Sequence, residues 1–377
     1  MTHARCLKWV VWVGGVLLGC VGVTAHAGFY SQTNLVSDIP GLGQITDPAL
    51  RNPWGISHTA ASPFWVSDQA TGVSTLYNVT AAGASKAALQ VTIPTTASGP
   101  QGPTGQVNNT TTVFPVNGTA ASFIFANLNG TVSAWNNTAG TTAVIEATTA
   151  GAIYTGLALG GTAAAPLLYA ANDSQNRIDV FSGSFSPVDL GAAAFVDAAV
   201  GSLVPFNIQN IGGNLYVTYA PAGRPAQISA PEGVGAVAVF DMSGHLLQTL
   251  ITDSRLASPW GLALAPAGFG DFGGDLLVGN FSFAASEINA FNPVTGAYVG
   301  TIPISAGANN TPGGLWGLSF GTGGNNGNPN TLYFASGING EADGLFGAIA
   351  FVPEPATIGL LVFGLLGSGF RKHRRAA

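Results

Sequence analysis

Ser258-Pro259-Trp260-Gly261-Leu262-Ala263-Leu264 (SPWGLAL) decides the fold, because its Pro-Trp-Gly-Leu centre returns along the chain. It appears as Pro53-Trp54-Gly55-Ile56, Pro103-Thr104-Gly105-Gln106, Tyr154-Thr155-Gly156-Leu157 and Leu315-Trp316-Gly317-Leu318, with a degenerate copy at Pro205-Phe206-Asn207-Ile208. The third residues stand at 55, 105, 156, 207, 261 and 317, in steps of 50, 51, 51, 54 and 56. A steady period of this length marks a repeat architecture.

Each unit is followed by a second apolar run with a small or polar end, such as Phe64 to Asp68, Phe123 to Asn127, Leu167 to Asn172 and Leu276 to Asn280. A third run follows, such as Gly130 to Trp135 or Ala236 to Phe240; then come a turn (Asp241-Met242-Ser243-Gly244) and a fourth run (Leu246 to Ile251). Short apolar runs punctuated by Gly, Pro and Asn are strands and turns. No part of the body shows a long helical period. The expectation is an all-β protein, a six-bladed β-propeller with four-stranded blades. A β-solenoid or a pair of sandwiches is the alternative, but the period is too long for a solenoid rung.

Two details follow from radial closure. The last repeat has three obvious strands, ending at Phe351, so Tyr30 to Val36 (YSQTNLV) is expected to supply the fourth and leave no open edge. The repeated Gly belongs on the innermost strand, where backbones converge and a side chain would clash. The Trp before it is expected to pack between neighbouring blades.

The ends carry processing signals. Arg5 and Lys8 precede an apolar stretch, Trp9 to Val23, and Ala25-His26-Ala27 offers small residues for cleavage, the layout of a signal peptide over residues 1–27. Leu17-Leu18-Gly19-Cys20 leaves open a lipidated N-terminus at Cys20 instead. At the other end, Pro353-Glu354-Pro355 is followed by an apolar run, Ile358 to Phe370, and then by Arg371, Lys372, His373, Arg374 and Arg375. The basic cluster resists transfer through hydrocarbon. The run of 13 residues is shorter than the roughly 17–25 that span a bilayer comfortably. That favours a transient anchor over a permanent span. The domain reading is therefore 1–27 leader, 28–351 propeller and 352–377 tail.

The whole chain carries a formal charge of −6, but its cations sit mainly at the ends. Residues 28–352 hold five cations against sixteen acids, a net charge of −11. Nucleic-acid binding draws on Lys and Arg to displace counterions, so such a partner is disfavoured. Both cysteines, Cys6 and Cys20, lie in the leader, so the mature body has no disulfide, thiol nucleophile or cysteine metal site. The 47% hydrophobic content is enough for a packed core despite 53 Gly and 22 Pro.

The triplet, apolar run and basic cluster resemble a PEP-CTERM sorting signal. The resemblance implies Sec export, recognition by an exosortase, and release toward the outer surface or extracellular matrix of a Gram-negative bacterium. Contact with the membrane would be transient and confined to the C-terminal segment. Pro353, Glu354, Pro355, Arg371, Lys372, Arg374 and Arg375 are the residues that carry it. The body resembles an uncharacterised family of exported bacterial propeller-like proteins and is loosely similar to NHL-type propellers. Asn52 to Gly55, Ser258 to Leu264, Gly274 to Phe281 and Asn330 to Phe346 (NTLYFASGINGEADGLF) carry that resemblance, which brings a fold and no catalytic residues.

Candidate chemistry is sparse. The mature chain has two histidines before the tail, His58 and His245, neither in a triad pattern. Asp68, Asn127, Asn172, Asp173 and Asn280 end second strands, and equivalent strand ends converge on one mouth of a propeller channel. Their oxygens are hard ligands suited to Ca²⁺, and a metal held there would polarise a substrate. The plainer role is to hydrogen-bond the following turn. Asp271 and Asp275 on a Gly-rich loop pose the same choice. The favoured function is a non-enzymatic platform binding extracellular polysaccharide or protein; the alternative is a Ca²⁺-dependent, lactonase-like hydrolase or lyase at the channel mouth.

Overall fold

A computed structural model describes residues 29–96 and 99–353. Residues 1–28 and 354–377, with the leader, Glu354, Pro355 and the basic cluster, lie outside the described residues.

Six antiparallel four-stranded blades follow one another in chain order, as the period requires; the last also carries a short parallel strand, Ile45–Thr46, on its outer edge. Their innermost strands are Pro53–Ser57, Pro103–Asn108, Tyr154–Gly161, Val204–Ile211, Pro259–Leu264 and Leu315–Phe320, numbered here as blades 1 to 6. Each inner strand adjoins the next, and the sixth adjoins the first, so the sheets close radially. The fourth strand of blade 6 is Phe29–Ser37, antiparallel to Leu345–Val352, with Phe29 opposite Val352 and Ser37 opposite Leu345. The N-terminal segment thus closes the ring. Tyr30 anchors this closure: its ring stacks on Phe272 at 5.1 Å, and its hydroxyl donates to Phe269 O at 2.8 Å. Asp271 lies in that clasping turn, a short 3-10 helix over Gly270–Phe272.

The repeated glycine is explained by proximity. A Cβ on Gly55 would lie 2.5 Å from Thr104 O, and one on Gly105 would lie 2.5 Å from Leu157 N. The same contact runs from Gly317 back to Trp54 O at 2.7 Å, which completes the circle. Blade 4 departs from the rule. Asn207 takes the glycine position and donates Nδ2 to Trp260 O at 2.8 Å, replacing backbone proximity by a hydrogen bond.

The tryptophans pack between neighbouring blades and also reach beyond them. Trp54 and Trp316, from adjacent blades, stack at 3.5 Å, but Trp260 also meets Trp54, two blades away, edge-on at 6.3 Å. Trp260 Nε1 donates across the ring to Thr155 O at 3.0 Å. With Phe206, Ala220 and Phe281 they form one buried cluster that plugs the axis. The six equivalent positions hold Trp54, Thr104, Thr155, Phe206, Trp260 and Trp316. The two threonines leave the space that the large rings lean across to fill.

Candidate functional site

A cavity of about 300 Å³ lies against this plug. Trp54, Thr155, Asp173, Arg224, Gln227 and Glu341 line it, with Pro100, Leu128 and Ile153 as apolar walls. Arg224 and Gln227 come from a short helix, Arg224–Ile228, inserted between the second and third strands of blade 4. The Arg224 guanidinium rests on the aromatic cluster, 4.2 Å from the Phe281 ring centroid, 4.8 Å from Trp316 and 5.1 Å from Trp54. Such cation–π contacts hold a half-buried cation in place. Glu341 grips the same guanidinium in a bidentate pair, Nε to Oε2 at 3.2 Å and Nη2 to Oε1. Burial lowers the Arg224 pKa, and the charges of Glu341 and Asp173 oppose that effect.

Glu341 reaches the cavity from an unusual backbone. Asn339, Gly340 and Glu341 have φ of 56°, 68° and 69°, three left-handed residues in succession. Left-handed runs are costly for L-residues and persist where the surroundings fix them. Here Asn339 Nδ2 donates to Asn310 Oδ1 at 2.9 Å and to Asp343 Oδ2 at 2.8 Å. Asn52 connects the turn to the plug: its Nδ2 donates to Glu341 Oε1 at 3.0 Å, and its Oδ1 accepts from Trp316 Nε1 at 3.1 Å.

Asp173 faces this assembly. Its Oδ1 accepts from Gln227 Nε2 at 2.7 Å. Burial pushes its carboxyl up to about 6, against the opposing influence of the Gln227 hydrogen bond and the Arg224 charge.

Of the five strand-end residues, Asp173 alone lines this cavity. The others make local bonds. Asp68 is fully buried; Thr75 Oγ1 donates to its Oδ2 at 2.7 Å, its Oδ1 has no partner among the described residues, and desolvation raises its pKa well above the usual carboxylate range. Asn127 Oδ1 accepts from Asn129 N at 3.3 Å. Asn172 accepts from Gln175 N at 3.3 Å and donates to Asp179 Oδ2 at 2.7 Å. Asn280 accepts from Ala257 N at 3.0 Å and donates to Arg255 O at 2.8 Å. Among the described residues no group of three or more His, Cys, Asp or Glu is arranged to hold a metal. Oxygens for Ca²⁺ would therefore come largely from amides and backbone carbonyls.

A second cavity, of about 500 Å³, opens along the inner strands and includes Ser57, His58, Gln106, Asn210 and Ser319. Burial lowers the His58 pKa, so the ring stays neutral near pH 7; its Nε2 lies 3.1 Å from Ser319 Oγ. His245 is exposed and lies 3.0 Å from Asp241 Oδ2.

Sequence reasoning passed over Arg224, Gln227, Asn52 and Glu341. Two of the four carry a signal in the sequence. Arg224 is one of only five cations in the body, and Glu341 sits inside the GINGEADG run.

The chain is thus a six-bladed propeller with a charged cavity at its axis, and the PEP-CTERM protein-sorting motif matches its residues 351–375. It is 30% identical over 336 residues to uncharacterized protein R648 of Acanthamoeba polyphaga mimivirus, covering 84% of this chain and 78% of that protein. It is 28% identical over 336 residues to uncharacterized protein L690 of the same virus, covering 84% of each. The chain belongs to the family of the first of these mimivirus proteins. Among solved structures it is similar to a streptogramin B lyase, at 13% identity and a TM-score of 0.48, over 86% of this chain and 98% of that one. It is also similar to a gluconolactonase from Xanthomonas campestris, at 16% identity and a TM-score of 0.46, over 87% and 99%.

Proposed function

We propose that this protein is an exported binding platform, delivered toward the outer surface or extracellular matrix of a Gram-negative bacterium. The Sec machinery and an exosortase are its transient partners, and extracellular polysaccharide or protein its lasting one. One observation carries the reading: the sorting motif begins at residue 351, and the last strand ends at Val352. The matched segment shares only Phe351 and Val352 with that strand, and the Pro-Glu-Pro triplet follows it, starting at Pro353. Phe29 pairs with Val352, so the expected leader cleavage after Ala27 and tail cleavage near Pro353 flank the same pair of strands. Both cuts would leave the sheet intact.

Deleting residues 353–377 tests this. The truncated protein should fold but fail to reach the site where the full chain accumulates. Arrival at the same location would remove the sorting role. The Ca²⁺-dependent hydrolase or lyase reading is separated by metal analysis: if the purified protein neither retains Ca²⁺ nor melts higher with it, that reading falls.

A further inference from the structure

The cavity beside Arg224 has unspent hydrogen-bonding capacity of both kinds. Trp54 Nε1 and Arg224 Nη1 are buried donors with no acceptor among the described residues. Trp54 is 2% exposed. A buried donor left unpaired costs about 1–3 kcal/mol, so two on one cavity point to an acceptor supplied from outside. On the same lining, Asp173 spends Oδ1 on Gln227, while Oδ2 has no hydrogen-bond partner among the described residues. The site therefore wants a group that accepts from two N–H donors and donates to a carboxylate oxygen.

Charge narrows the class. Arg224 is already neutralised by Glu341, and Asp173 adds a further acid. An anionic ligand would meet two carboxylates for one spoken-for cation. A cationic ligand would oppose Arg224 and waste both N–H donors. Hydroxyl groups both accept and donate without charge. The walls made by Pro100, Leu128 and Ile153 offer apolar surface for C–H faces. The volume, about 300 Å³, lies at the low end of ligand pockets, roughly 300–1,000 Å³.

We propose that this cavity binds a neutral carbohydrate, with one hydroxyl oxygen accepting from Trp54 Nε1 and Arg224 Nη1 and a neighbouring hydroxyl donating to Asp173 Oδ2. The assignment rests on the reading of the protein as an extracellular binding platform and names the ligand class for it. Glu341 and its left-handed turn are positioning elements, holding the guanidinium so that Nη1 remains free.

Calorimetric titration of the full-length chain with cellobiose, maltose and mannobiose, up to about 10 mM, measures binding directly. At least one should bind. Asp173→Asn, which keeps an oxygen for Gln227, should weaken that binding about tenfold, the loss of one hydrogen bond to a charged group. Asn210→Ala, at the second cavity, should leave it unchanged. In the parent protein the sugar should shift the indole N–H resonance of Trp54, a readout independent of how any variant folds. The proposal is overturned if none of the three sugars binds, or if the Trp54 resonance is unmoved by a sugar that does. It is equally overturned if Asn210→Ala and not Asp173→Asn weakens binding, or if digalacturonate binds more tightly than the neutral disaccharides. A protein blind to sugars whose location still depends on residues 353–377 would sink this inference alone. A location indifferent to the tail would sink the sorting reading whatever the titrations give.

Discussion

Blades 5, 6 and 1 put Trp260, Trp316 and Trp54 before the inner-strand glycine, whereas blades 2 and 3 put Thr104 and Thr155 there. The glycine itself is common to both groups. The difference separates two kinds of constraint. A Cβ on any of these five glycines would strike the next blade's backbone, so the requirement recurs around the ring, with Asn207 of blade 4 as its one exception. The preceding side chain instead shares one central space with five others, and only their sum is fixed. The aromatic blades overfill their share and lean across the axis. The threonine blades underfill theirs, and the cavity opens beside Thr155 and Asp173, facing Trp54 and Arg224. The site is a consequence of that asymmetry.

The largest effect should come from breaking the aromatic side. Trp316 is fully buried, stacks on Trp54 at 3.5 Å and on Phe281 at 4.2 Å, and supports Arg224. Trp316→Ala should cost about 3–5 kcal/mol, read from urea unfolding. Thr104→Ala should cost only about 1 kcal/mol, for the bond from its Oγ1 to Tyr154 O at 2.7 Å. Equal losses would show that the plug is no more central than the threonine side.

The next effect concerns Asp173. Its folded-state pKa, about 6, lies above the ordinary 3.8, so burial favours the protonated acid. The parent should lose stability as pH rises from 3.8 to about 6, and the loss should level off above that. Its size is about 3 kcal/mol, the free-energy equivalent of that displacement. Asp173→Asn lacks this titration. Its stability relative to the parent should therefore climb through the same interval and then plateau. A flat difference between the two unfolding curves would mean that Arg224 and Gln227 fully compensate the buried charge.

How far the sequence could be read follows the same division. The glycine spacing gave the blade count, and YSQTNLV was recognisable as the closing strand, because backbone proximity and strand alternation are periodic and local. The reach of the tryptophans across the axis was not legible. Trp54 meets its neighbour Trp316 and also Trp260, two blades away, and the room for the second contact comes from Thr104 and Thr155, which are distant in sequence. The strand-end residues were identifiable by position, yet only Asp173 lines the cavity, beside a helix the period does not contain; Asp68 and Asn127 bond instead to Thr75 and Asn129. Arg224 and Glu341 are 117 residues apart and lie outside the repeat, so no period could link them.

The smallest effects test the glycine rule itself. Gly105→Ala places a Cβ 2.5 Å from Leu157 N and 2.8 Å from Gly156 Cα, atoms that cannot rotate away. It should cost about 1–3 kcal/mol. Asn207→Gly makes blade 4 conform to the pattern, yet it should not stabilise the ring. It removes the 2.8 Å bond from Asn207 Nδ2 to Trp260 O and adds backbone freedom to the unfolded chain. The expected cost is about 1 kcal/mol, measured as a lower urea midpoint with unchanged slope. A gain in stability would mean that blade 4 is strained by its asparagine and that glycine is preferred for more than clearance. A loss would mean that the ring needs only a link of the right reach at each seam, with glycine as one way to make it and asparagine as another.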